Sequence, residues 1–222
     1  MKVILFGASG MVGQGVLKEC LKDPGVTEVL SIGRGSLGIA DPKVKEILHK
    51  DFTDFSTLEP QMKGYDACFF CLGISSAGMA EQDYRHITYD FTLAAAAPLA
   101  RLNPLMTFIF VSGAGTDSTE KGRVMWARVK GATENALLRL PFKAAYMFRP
   151  GAIQPMDGIK SKTMIYNILL VLLGWLFPLL RKLFPRHVTT TRILGRAMIK
   201  AARDGAPVKW VESWDINTLG WE

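Results

Sequence analysis

The segment Gly7-Ala8-Ser9-Gly10-Met11-Val12-Gly13 constrains this chain more than any other. It follows the apolar run Val3-Ile4-Leu5-Phe6 and opens into the helical pattern Val12, Val16, Leu17, Cys20 and Leu21. A strand, a glycine turn and a helix therefore begin here. Each glycine has its own physical use: Gly7 permits the tight turn, Gly10 lets backbone approach a pyrophosphate, and Gly13 lets the helix pack close to the sheet. The helix start then turns its amide N–H groups toward an anion. A phosphate cradle is the expected use of the turn, against the alternative of a glycine-rich βα turn with no ligand.

Further along, Glu28 to Ile32 reads as a second strand, ending in Gly33-Arg34. A dinucleotide-binding fold meets its adenosine ribose about twenty residues past the glycine turn, normally through an Asp or Glu. Arg34 offers instead a guanidinium fork to a 2′-phosphate, which points to NADP(H) ahead of NAD(H); the alternative is a surface arginine in a glycine loop. Val44 to Lys50 reads as a third strand, with Asp51-Phe52 at its carboxyl end, the side on which ligands bind in open parallel sheets. Asp51 is expected either to accept from an adenine amino group or to cap the turn Asp51-Phe52-Thr53-Asp54. Asp66 to Leu72 is a fourth strand closed by Gly73, whose missing side chain lets a ribose approach. An alanine-rich helix from about Asp83 to Leu102, a strand over Thr107 to Val111, a helix from near Gly122 and a strand over Ala144 to Phe148 complete the alternation. The expected fold is α/β: a Rossmann-like doubly wound parallel sheet with right-handed crossovers.

The pattern changes after residue 150, so the expected division is a dinucleotide-binding domain over 1–150 and a small, mainly helical C-terminal substrate or interaction segment over 151–222, packed on it. Residues 164–180 form a nearly unbroken apolar stretch with basic flanks, slightly short for a comfortable membrane span. A helix apolar all round must be buried by protein or lipid, so a homodimer contact or a peripheral membrane contact is expected there. Val188 to Ala202 reads as a further helix and Val208 to Val211 as a last strand. The net charge of +7 is concentrated between residues 159 and 203, where nine Lys or Arg occur without an Asp or Glu. No nucleic-acid module accompanies this basic stretch, and no nucleic-acid partner is expected. Cys20, Cys68 and Cys71 lack disulfide-framework spacing and read as core residues of a reducing compartment; the three histidines are scattered singly, and no metal site is expected. Met1-Lys2 leads straight into the first strand, so a cytoplasmic location is expected, with peripheral membrane association through 164–180 as its variant.

With these residues placed, the chain resembles the extended and atypical short-chain dehydrogenase/reductase superfamily, in particular its small epimerase-like branch. The likeness rests on the glycine turn, Gly33-Arg34, Asp51, Cys71-Leu72-Gly73, Val111-Ser112-Gly113-Ala114-Gly115, Lys130-Gly131 and Arg149-Pro150-Gly151. It implies a cofactor set of Gly7, Ser9, Gly10, Met11, Val12, Gly13, Arg34, Asp51, Phe52, Leu72, Gly73 and Lys130. It also implies a catalytic Ser, Tyr and Lys, with Tyr and Lys four residues apart on one helix. Ser112 and Lys130 stand in two of these positions, with Thr116 or Ser118 as alternatives to Ser112, but Trp126 occupies the tyrosine position. An indole N–H donates a hydrogen bond without exchanging a proton near neutral pH. Two functions follow: an NADP(H)-dependent oxidoreductase or epimerase-like protein acting on an unidentified small molecule through a non-standard motif, or a non-catalytic dinucleotide-sensing module, like the nitrogen-repression regulators of the same superfamily.

Overall fold

The computed structural model describes residues 1–159, 184 and 186–221 of the chain. The apolar stretch 164–180 lies outside the described residues, and with it the expected helix and its membrane or homodimer contact. Among the described residues no helix is long and apolar enough to cross a membrane.

The expected alternation is present. Strand β1 (Lys2–Phe6) leads into α1 (Met11–Lys22), followed by β2 (Glu28–Gly33), β3 (Val44–Leu48), the short helix α2 (Glu59–Met62) and β4 (Ala67–Phe70). A helical run comes next: α3 (Glu81–Arg85), a π-helical turn over His86–Asp90, and α4 (Phe91–Leu102), which continues through Pro98. Then come β5 (Thr107–Val111), α5 (Met125–Leu137), β6 (Ala144–Arg149), β7 (Ala152–Gln154), β8 (Val188–Thr190), α6 (Thr191–Asp204), β9 (Trp210–Glu212) and α7 (Ser213–Gly220).

Seven strands form one sheet in the order β3-β2-β1-β4-β5-β6-β9, every pair parallel. Parallel strands need covering on both faces, and the central strands are accordingly apolar throughout: β1 is buried from Val3 to Phe6, and β4 over its whole length. Their side chains alternate between two cores. Val3, Leu5 and Phe69 pack with Val16, Leu17 and Cys20 of α1 and with Leu194, Ala197 and Met198 of α6. Ile4, Phe6, Cys68 and Phe70 pack on the other face with Ala95, Ala96 and Leu99 of α4 and Leu137 of α5. Phe6 meets Phe55 and Phe52 edge-on, with ring centroids 5.7 and 6.3 Å apart. The three cysteines are unpaired, and burial pushes their thiols up, Cys71 included although it is only half-buried.

The C-terminal segment belongs to the same sheet, since β9 extends it beyond β6 and α6 covers its first face. The run expected as helix from Val188 starts as a strand instead: Val188 to Thr190 pairs with β7, and the Thr190 hydroxyl caps α6 by accepting from the Ile193 amide at 3.0 Å. A β-branched run favours the strand, and the Thr oxygen supplies the helix start. The described basic residues of α6 are locally compensated. Arg196 binds Glu19, Arg192 binds Asp157, Lys200 binds Asp204 and Arg203 meets Asp23.

Helices α1 and α6 cross where side chains are missing. A Cβ on Gly15 would lie 2.5 Å from the Thr191 Cβ and 2.9 Å from its carbonyl oxygen. Gly15→Ala is therefore expected to lower stability by about 1–3 kcal/mol in urea unfolding, as overpacking does. Gly35→Ala, with nothing within 4 Å of the added carbon, is expected to leave the midpoint nearly unchanged. Equal midpoints for both variants would contradict the tight crossing.

Candidate functional site

The carboxyl ends of β2, β1, β4 and β5 lie side by side, and the crossovers leave β1 toward β2 on one side and β4 on the other. A crevice opens at such a reversal of strand order. Gly7 has φ +77°, and a Cβ there would stand 2.7 Å from the Cys71 carbonyl and the Leu72 amide. A Cβ on Gly13 would stand 2.1 Å from the Gly7 carbonyl oxygen. These two glycines are required by packing alone. Gly10 is under weaker pressure, its nearest neighbour being the Gly7 oxygen at 3.3 Å, and Gly35 and Gly73 have nothing within 4 Å. Their bareness leaves room toward the crevice.

Helix α1 begins at Gly10 without a side-chain cap and without an acid in its first turn. The Gly10 amide is used by the Gly7 carbonyl and the first helical bond runs from the Gln14 amide to Gly10, so the amides of Met11, Val12 and Gly13 face outward at the positive end of the helix. Met11 and Val12 themselves pack their side chains against the core. Beside this end lies an open cleft of about 370 Å³, lined by Gly7, Ala8, Ser9, Ser31, Ile32, Gly33, Arg34, Gly35, Ser36, Leu37, Phe52 and Leu72. It brings together residues from the ends of β1, β2 and β4. Arg34 is exposed in its wall. Phe52 lines the cleft from the aromatic core. Asp51 is exposed outside that lining: its carboxylate accepts from the Thr53 amide at 2.9 Å and the Thr53 hydroxyl at 2.5 Å, which holds its pKa below the ordinary value. It caps its own turn.

The second part of the site stands at the end of β5. The Ser112 amide donates to the Phe148 carbonyl at 2.7 Å, fixing the loop to β6. The Thr116 hydroxyl donates to the Gly113 carbonyl at 2.8 Å, so the 2.9 Å contact between the Ser112 and Thr116 hydroxyls is a donation from Ser112. Ser112 thus keeps lone pairs but has committed its proton. Lys130 reaches under the loop from α5 and donates to the Ser112 carbonyl at 2.8 Å, with its Nζ 5.9 Å from the Phe110 ring centroid. Burial lowers its pKa from 10.5 to about 8, against the opposing pull of Glu134. The Trp126 indole lies along the same loop, near enough that a Cβ on Gly115 would be 3.7 Å from it, and one on Gly113 4.0 Å. A Cβ at either position would make only ordinary van der Waals contact with the ring.

Helix α5 is held in place from two sides. A Cβ on Gly131 would fall on the Asp117 carbonyl oxygen, 1.8 Å away, so only glycine permits the loop to cross there. Glu134, fully buried, accepts from Arg149 through both oxygens; Arg149 also donates to the Ser118 hydroxyl and reaches Glu212 of β9 at 3.5 Å. Breaking a buried pair of this kind costs about 3–5 kcal/mol, because the survivor stays charged. Ser118 is thereby engaged by Arg149, while Thr116 is joined to Ser112. The Glu134 to Arg149 pair and the clamp by Asp117 were not anticipated from sequence; the only signals were Glu134 one turn beyond Lys130 and the arginine in Arg149-Pro150-Gly151. Ser36 and Leu37 were likewise missed, being unremarkable loop residues after Arg34.

No protein-family profile matches the chain. It is 29% identical to rat HTATIP2 over 154 residues, which span 68% of this chain and 62% of that protein. It is 28% identical to an Aspergillus terreus protein named fmp52-2, mitochondrial, over 224 residues, 97% of this chain and 95% of that one. Among solved structures, the Bordetella bronchiseptica enzyme WbmF in complex with NAD+ superposes with a TM-score of 0.69 at 16% identity, covering 98% of this chain and 76% of that one. A Burkholderia thailandensis oxidoreductase of the short-chain dehydrogenase/reductase family gives 0.64 at 15% identity, covering 91% and 85%. In sequence the chain is similar to HTATIP2 and to the FMP52 proteins, and its fold is the one shared by these NAD+-bound and short-chain dehydrogenase/reductase structures.

Proposed function

We propose that the protein binds NADP(H) across the carboxyl edge of the sheet and acts as an oxidoreductase or epimerase-like protein with a non-standard proton-transfer group. The observation that carries this is the cleft at the uncapped start of α1, with Arg34 exposed in its wall and bare glycines facing it. The outward amides of Met11 to Gly13 would hold a pyrophosphate, Ser9 and Gly10 would let it approach, and Leu72-Gly73 would border the ribose. Lys130 would hold the nicotinamide end beside Ser112. When bound, the dinucleotide supplies a hydride; the chain supplies position, charge and exclusion of water.

A second reading has its own support. Trp126 against the glycine loop and a Ser112 whose proton is committed leave the site without the usual acid, as a dinucleotide-sensing module would be. We further propose a cytoplasmic location. Several relatives are named as mitochondrial, so fractionation that finds this protein inside mitochondria would overturn it.

NADPH is expected to bind at least about tenfold more tightly than NADH, since charge-assisted hydrogen bonds contribute about 1.5–3 kcal/mol. Arg34→Ala should erase that preference while leaving NADH affinity nearly unchanged. Titration of both cofactors by fluorescence checks this, and a preference that survives in the variant would refute it.

Carbonyl reduction by the natural chain is expected to be slower than in a site with a tyrosine at position 126, because the indole there takes no part in general acid catalysis. Trp126→Tyr should raise the rate by about tenfold or more at saturating NADPH. A rate that is unchanged or lower would show that position 126 is not where a proton is missing.

A further inference from the structure

Trp126, Lys130 and Glu134 share one face of α5, and the ready partner of a lysine in that register is the glutamate one turn on. Here that partner is taken, because both Glu134 oxygens accept from Arg149. Lys130 keeps a neutral carbonyl, that of Ser112, as its hydrogen-bond acceptor among the described residues. The hydroxyls and the carboxylate of the adjoining loop are engaged in hydrogen bonds of their own. Ser112 donates to Thr116 and Thr116 to Gly113, while Asp117 is an ionised turn cap bound by Thr119 and Gly122. Tyr84 is 2% exposed with its phenol pKa pushed up, and Tyr89 lies under the guanidinium of Arg85.

We propose that Lys130 is itself the proton donor of this site, acting on a substrate carbonyl where the resembling enzymes use a tyrosine. The proposal rests on the NADP(H)-binding reading above. A bound reduced nicotinamide would supply a hydride, one hydrogen with its electron pair, to the carbonyl carbon; the π pair of the C=O bond would move to oxygen, and that oxygen would take a proton from Lys130 Nζ. The carbonyl becomes an alcohol, the nicotinamide is oxidised, and the neutral amine is recharged from water. The charges that bear on Lys130 are Glu134 of its own helix and, through it, Arg149 of β6 with Glu212 of β9. With its pKa at about 8, the ammonium is mostly charged at neutral pH yet close enough to ambient pH to release its proton.

The test has three arms. Titration of the full-length, 15N-lysine-labelled protein without cofactor should show the Lys130 amine, assigned with Lys130→Arg, changing charge near pH 8; a midpoint in the ordinary lysine range overturns the proposal. Single-turnover oxidation of saturating NADPH by 4-nitrobenzaldehyde should be flat at low pH and fall tenfold per unit above about pH 8. Lys130→Met should slow it at least about a hundredfold and abolish the break, and Lys130→Arg, charged but unable to release a proton, should be equally slow. Wild-type rates in Lys130→Arg, a break that survives in Lys130→Met, or NADPH that binds without ever being oxidised each overturn the proposal. Fluorescence titration of the wild type with NADPH separates the two readings: failure to bind at all defeats the NADP(H) reading on which this one stands.

Discussion

The architecture depends on backbone meeting backbone at the end of β1. Gly7 lies against the Cys71 carbonyl and the Leu72 amide, and Gly13 lies against Gly7, in both cases closer than any side chain allows. This double contact joins the first strand, the first helix and the fourth strand at one point. It brings the amino end of α1 to the carboxyl edge of the sheet, where the strand order reverses and a crevice must form. The cleft at the start of α1 and the Ser112 loop with Lys130 are arranged along that edge.

The two ends of the edge are built by different means. On the β2 side the chain is bare: glycines, an uncapped helix start and an exposed arginine border an open cleft. On the β5 side it is crowded, with Lys130 under the Ser112 loop, Trp126 against it, and the buried Glu134 to Arg149 pair fixing the helix that carries both. That pair also decides the electrostatics of the site, because a glutamate bound to arginine is not available to a lysine. Removing water from the Lys130 ammonium lowers its pKa, and the nearby Glu134 carboxylate, bonded to Arg149, opposes that only in part.

Much of the fold was legible because parallel strands buried on both faces must be apolar throughout, and Val3 to Phe6, Ala67 to Phe70 and Thr107 to Val111 read that way. The glycine turn was legible for the same reason that it is rigid: only glycine fits at Gly7 and Gly13. The start of the run from Val188 was misjudged because periodicity does not show that a strand partner, Ala152 to Gln154, lies more than thirty residues upstream. Within the basic stretch, Arg192, Arg196 and Arg203 meet Asp157, Glu19 and Asp23, contacts that sequence distance conceals. The turn capped by Asp51 was one of two readings that residue types alone left open.

The central claim is that this edge holds an NADP(H) molecule in one orientation. A crystal structure of the protein grown with NADP+ tests it most directly. The account predicts the pyrophosphate on the amides of Met11 to Gly13, the 2′-phosphate within hydrogen-bond distance of Arg34, and the nicotinamide ribose beside Lys130. A dinucleotide bound elsewhere, or bound here with its 2′-phosphate away from Arg34, would contradict it.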